Sequence, residues 1–109
     1  MNIMKVKVIT EHLGEGSFPC FLKGTPVIMK EACTHFINWY ACEINGYQTY
    51  VPDCFVNDDK LVREYNPTEL VQKEGDILEV KEIVYAWLIA INNTGETGWI
   101  PAENVVSTL

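Results

Sequence analysis

The chain has 109 residues, 48% of them hydrophobic and 21% charged, with a net charge of −7. That composition excludes a disordered chain, and the absence of any basic run excludes a duplex nucleic-acid binder, which must neutralise phosphates with a basic face. The acidity is uneven: five bases face seven acids in residues 1–60, and three face eight in residues 61–109.

Short strand-like segments rich in Val, Ile, Tyr, Trp and Thr follow one another along the chain, the composition that a pleated, half-buried surface favours. In order they are Met4–Ile9, Thr25–Cys33, Trp39–Ile44, Tyr47–Val51, Ile77–Val84, Trp87–Ile91 and Thr97–Ile100. Met1 to Thr10 alternates Lys5 and Lys7 with Met4, Val6 and Val8, which reads as a strand and not as the apolar centre of a signal peptide. Asn45-Gly46 is a hairpin signal, because both residues tolerate positive φ. Asn92-Asn93-Thr94-Gly95 does the same work later, while Gly14-Glu15-Gly16-Ser17 and Asn66-Pro67-Thr68-Glu69 read as loops. The longest apolar run, Ile83 to Ile91, is far short of the roughly 20 residues that span a bilayer. The expectation is therefore a cytoplasmic protein without a membrane partner.

The elements repeat. With Gly24 laid on Gly75, Trp39 follows the first by 15 residues and Trp87 the second by 12. Tyr50-Val51-Pro52 lines up with Trp99-Ile100-Pro101, Val56 with Val105, and Val8-Ile9-Thr10-Glu11-His12 with Leu61-Val62-Arg63-Glu64-Tyr65. The order is the same in both halves, and the boundary expected from it is the polar stretch Asn57-Asp58-Asp59-Lys60. Two domains follow, residues 1–57 and 58–109.

Residues 61–106 resemble a Src-homology-3 (SH3) domain. Leu61-Val62-Arg63-Glu64-Tyr65 stands where that family has Ala-Leu-Tyr-Asp-Tyr. Glu69-Leu70 with Lys73-Glu74-Gly75-Asp76 is similar to its diverging turn, Trp87-Leu88 to its Trp pair, and Thr94 to Pro101 to its distal hairpin and closing Pro. The first half resembles the same pattern more weakly, through Gly24, Trp39 and Tyr50 to Val56. The resemblance, to bacterial tandem SH3-like proteins, implies an all-β fold of two small SH3-like barrels packed against each other. It also implies a non-catalytic protein- or peptide-binding module in which aromatic rings pack the ridges of an extended, proline-rich ligand.

Carried over residue by residue, the resemblance places Tyr65, Trp87 and Pro101 in the second groove, with Arg63 and Asn104 where two tyrosines would stand. Trp39, Pro52 and Phe55 fall in the first groove, with His12 and Thr10 at its other positions. Glu69 and Glu74 lie in the loop that in the family reads a ligand Arg or Lys. A structural, self-associating module, dimeric through degenerate grooves, is the alternative reading.

Cys20, Cys33, Cys42 and Cys54 form no C-x-x-C pair, so free thiols are expected rather than a zinc site, and a thiol or metal sensor that also uses His35 ranks behind the other readings. His12 and His35 are the only histidines, and no nucleophile–base signature or phosphate loop accompanies them. Neither an enzyme nor a cofactor is expected. Capture of cell-wall peptides is a further option that the lack of a signal peptide disfavours.

Overall fold

A computed structural model describes residues 3–108. The fold is all-β, with antiparallel sheets joined by tight turns. Its strands are β1 (Lys5–Val8), β2 (Ile28–Ala32), β3 (Trp39–Ile44), β4 (Tyr47–Pro52), β5 (Val56–Asn57), β6 (Lys60–Leu61), β7 (Ile77–Val84), β8 (Trp87–Ile91), β9 (Thr97–Pro101) and β10 (Val105–Ser107). Two 3-10 turns, Asp53–Phe55 and Ala102–Asn104, are the helical segments among the described residues. No helix there is long and apolar enough to cross a membrane.

The turn chemistry agrees with the sequence. Asn45 and Gly46 take φ of 50° and 84° between β3 and β4, as a two-residue hairpin turn requires. Between β8 and β9, the side chain of Asn92 accepts the backbone N–H groups of Thr94 and Glu96, and Gly95 supplies the positive φ.

Two compact units emerge, and neither is a contiguous half of the chain. One comprises Met1–Ser17 together with Thr68–Leu109; the other is Phe18–Pro67. The discontinuous unit holds a five-stranded sheet in the order β10-β1-β7-β8-β9. In β1, Val6 and Val8 face a core shared with Leu70, Leu78, Leu88, Ala90 and Ile100, while Lys5 and Lys7 face outward. Burial of each valine is worth about 1.5–3 kcal/mol, enough to hold a four-residue strand that also pairs on both edges. At Gly98 an added Cβ would stand 2.9 Å from the Thr68 carbonyl and 3.1 Å from Leu70 Cγ, so this glycine lets segment 68–70 lie along β9. There Trp99 N–H donates to Thr68 O, and Leu70 N–H to Trp99 O.

The inserted unit pairs β2-β3-β4 in one sheet and β5-β6 in another. Its buried apolar residues are Phe21, Val27, Trp39, Cys42, Ile44, Val51, Phe55, Leu61 and Tyr65. Burial pushes the Cys42 thiol up to about 12, which keeps it protonated and inert.

The two units make the same bonds at the positions that the sequence repeat aligns. Gly75 N–H donates to Val8 O, and Gly24 N–H donates to Leu61 O. Ile9 N–H donates to Asn104 O, and Val62 N–H to Phe55 O. His12 and Gln72 exchange both backbone bonds, as Tyr65 and Phe21 do. Trp87 pairs with Pro101 and Trp39 with Pro52. Ala102 N–H donates to Ala86 O, and Asp53 N–H to Asn38 O.

The division at 57/58 is corrected by these bonds. Asp58 and Asp59 both adopt positive φ, 55° and 58°, and form a two-residue turn that joins β5 to β6 in one unit. Val8-to-His12 completes the unit that contains β7 to β10, and Leu61-to-Tyr65 completes the unit that contains β2 to β5. Each copy of the first motif therefore serves the other half of the sequence.

A cut between residues 57 and 58 separates β1 from β7 and β10, and β5 from β6. Expressed separately, residues 1–57 and 58–109 are expected to give poorly dispersed amide spectra, whereas residues 18–67 give a dispersed one. Folding of 58–109 alone would show that β1 is dispensable.

Candidate functional site

The crossed first motifs regroup the residues singled out from sequence. Tyr65, Trp39, Pro52 and Phe55 come together in the inserted unit, and His12, Glu69, Trp87 and Pro101 in the discontinuous one. The expected pairings of Tyr65 with Trp87, and of His12 with Trp39, are replaced because the strands carrying Tyr65 and His12 pair elsewhere.

In the inserted unit the aromatic residues are internal. Trp39 is 4% exposed, Phe55 and Tyr65 are each 3% exposed, and Pro52 is fully buried. The Tyr65 ring meets Phe55 edge to face at 5.4 Å, and its hydroxyl donates to Tyr50 O at 2.6 Å. Arg63 lies over the other ring of this pair, its Cζ 4.2 Å from the Phe55 centroid, a cation–π contact. The guanidinium thereby covers one face of the Phe55 ring.

In the discontinuous unit the equivalent cluster reaches the surface. His12 sits on the ribbon that pairs with Gln72, and its Nε2 donates to Glu69 Oε1 at 2.7 Å. The two side chains are 15% and 13% exposed. The imidazole meets the Trp87 ring edge to face at 5.8 Å. Trp87 is half-buried at the start of β8, opposite the buried Pro101 on β9.

Asn104, equivalent to Phe55, is a residue whose role the sequence did not disclose. Its backbone carbonyl accepts Ile9 N–H at 2.8 Å, and its side-chain amide donates to Thr10 O and Glu11 O. It fastens the segment that leads into His12. Glu74 stands exposed in the turn from Lys73 to Asp76, where Asp76 accepts the Lys73 N–H and the Gln72 amide.

The four cysteines are free thiols, and among the described residues no three of His, Cys, Asp and Glu gather as a metal site. Cys20 is exposed and donates its thiol proton to Glu64 Oε1 at 3.1 Å. That hydrogen bond, then burial, then the carboxylate charge raise its pKa, and burial does the same at Cys33.

Two variants probe these contacts. Tyr65→Phe removes a buried hydroxyl–carbonyl bond and is expected to lower stability by about 1 kcal/mol in denaturant titration. Glu64→Gln removes the group that raises the Cys20 pKa, so more thiolate is present at pH 8 and Cys20 is alkylated faster by iodoacetamide. Unchanged labelling at Cys20 would show that the thiol does not depend on this carboxylate.

The chain matches no family model, no curated protein and no solved structure.

Proposed function

We propose that this is a non-catalytic binding protein made of two SH3-like barrels, in which the discontinuous unit carries the ligand groove and the groove of the inserted unit is closed. The two units support the barrel reading by making the same hydrogen bonds around the same Gly, Trp, Pro and 3-10 turn positions.

The observation that carries the functional assignment is the contrast between the equivalent tryptophans. Trp39 is 4% exposed, whereas Trp87 is half-buried beside an imidazole and a carboxylate. A half-buried indole still offers apolar ring surface, which suits an extended peptide whose ridges pack on rings. Glu69 adds a negative group within the same cluster, so the ligand expected is a short extended segment, proline-rich and carrying a positive charge, from a protein partner.

The test is titration of the full chain with a pool of proline-rich peptides containing Lys or Arg, followed by two-dimensional NMR of the indole N–H groups. The Trp87 resonance is expected to shift, and Trp87→Ala is expected to abolish binding while leaving the rest of the spectrum dispersed. Acrylamide is expected to quench Trp87 and spare Trp39 and Trp99, the last of which is 3% exposed. Binding that survives Trp87→Ala, or a Trp87 shielded from acrylamide, would overturn the assignment of the groove.

A further inference from the structure

We infer that His12 sets the cation specificity of this groove, making it select a ligand ammonium over a guanidinium. The inference rests on the proposal that the Trp87 face is a ligand site, and it concerns which positive group can sit beside it.

The argument begins with the carboxylate. Glu69 is held on segment 68–70, which runs along β9 through the Trp99–Thr68 and Leu70–Trp99 backbone bonds, so its position is fixed by the sheet. One of its oxygens, Oε1, accepts from His12 Nε2 at 2.7 Å. The other, Oε2, has no side-chain partner among the described residues. The imidazole is held in turn. Its backbone is pinned by the paired bonds to Gln72, the preceding carbonyls by Asn104, and its ring by the edge-to-face contact with Trp87.

The two biological cations use a carboxylate differently. A guanidinium is planar and presents two parallel N–H groups, so its full interaction takes both oxygens at once. An ammonium is a compact point charge whose three donors rotate freely and can use a single oxygen. With Oε1 already occupied by His12, whose ring also packs against Trp87, the carboxylate has one oxygen left for a cation. A lysine-type ammonium fits that arrangement without rearrangement. An arginine-type guanidinium must either bind through one arm or displace the imidazole, losing about one hydrogen bond in either case.

His12 is thus a specificity residue acting through Glu69. Its equivalent in the other unit, Tyr65, does not contact a carboxylate in this way, since its hydroxyl is spent on the backbone carbonyl of Tyr50. The difference between the copies is what gives one of them a charged, partly occupied acceptor at the surface.

The experiment uses the full chain at one fixed pH. Butylammonium and butylguanidinium are titrated separately, and the Trp87 indole N–H and the His12 ring resonances are followed by NMR. Wild type is expected to bind the ammonium about fivefold more tightly than the guanidinium, the ratio that one hydrogen bond accounts for. His12→Phe keeps a ring against Trp87 but frees Oε1, and is expected to reverse the preference. Glu69→Gln is expected to abolish the response to both cations. A wild-type preference for the guanidinium, or a ratio that His12→Phe leaves unchanged, would overturn the inference, and the wild-type ratio decides the matter even if the variant does not fold. If neither cation moves the indole while the proline-rich peptides do, the specificity inference falls and the groove stands. If neither cations nor peptides move it, the groove reading falls as well.

Discussion

The organisation of this molecule depends on a single four-residue strand. Val6 and Val8 enter the core of a sheet whose other members come from the far end of the chain, and β1 is hydrogen-bonded on both edges, to β7 and to β10. A strand paired on both sides and buried on one face leaves no unpaired edge and cannot slip by one residue without turning Lys5 and Lys7 inward. Once β1 is placed there, the first motif of the second half has to close the other unit. The two-residue turn at Asp58 and Asp59 delivers it directly, by folding β6 back onto β5.

The consequence is chemical as well as topological. The side chains that most resemble an aromatic groove, Tyr65, Trp39, Pro52 and Phe55, converge in one unit, where they pack against one another and are withdrawn from solvent. The other unit receives His12 and Asn104 at the equivalent places. Neither can fill the volume of a tyrosine or a phenylalanine, and both carry polar atoms that must be satisfied. They are satisfied at the periphery, His12 by Glu69 and Asn104 by the carbonyls of Thr10 and Glu11, and this leaves Trp87 half-buried beside them.

Much of this was legible in the sequence. The seven long strands fall where β-branched and aromatic residues cluster, and the Asn45-Gly46 turn is where two residues tolerant of positive φ sit between two such runs. The repeat also aligned the right residues, since Val8 and Leu61, Gly75 and Gly24, and Trp87 and Trp39 make matching bonds. The exchange of first motifs was not legible, for the same reason that the alignment succeeded. Val8 and Leu61 offer equivalent apolar side chains in equivalent registers, so either could close either core, and local pattern carries no record of which does. Asp58-Asp59 misled because paired acids resemble a solvated link, whereas aspartate also tolerates the left-handed region that a tight hairpin needs. The strands β5, β6 and β10 are two or three residues long, too short to show any periodicity.

The divergence between His12 and Tyr65 now has a physical meaning beyond the loss of a motif. Both residues exchange two backbone bonds with the opposing ribbon, so the main chain treats them alike. Their side chains differ in the kind of acceptor they find. Tyr65 reaches a backbone carbonyl of β4, an acceptor that belongs to the sheet and is not free to turn toward a ligand. His12 reaches a side-chain carboxylate with a second oxygen still to offer, on a surface that also presents an indole. A buried tyrosine hydroxyl bound to the main chain favours a fixed, closed cluster, because breaking that bond leaves the hydroxyl of a buried side chain without its acceptor. An imidazole bound to a partly exposed carboxylate sits where solvent also reaches, so the contact is not sealed inside a core. The two equivalent positions therefore differ in kind: Tyr65 spends its hydroxyl on the main chain of β4, whereas His12 meets a partly exposed side-chain carboxylate.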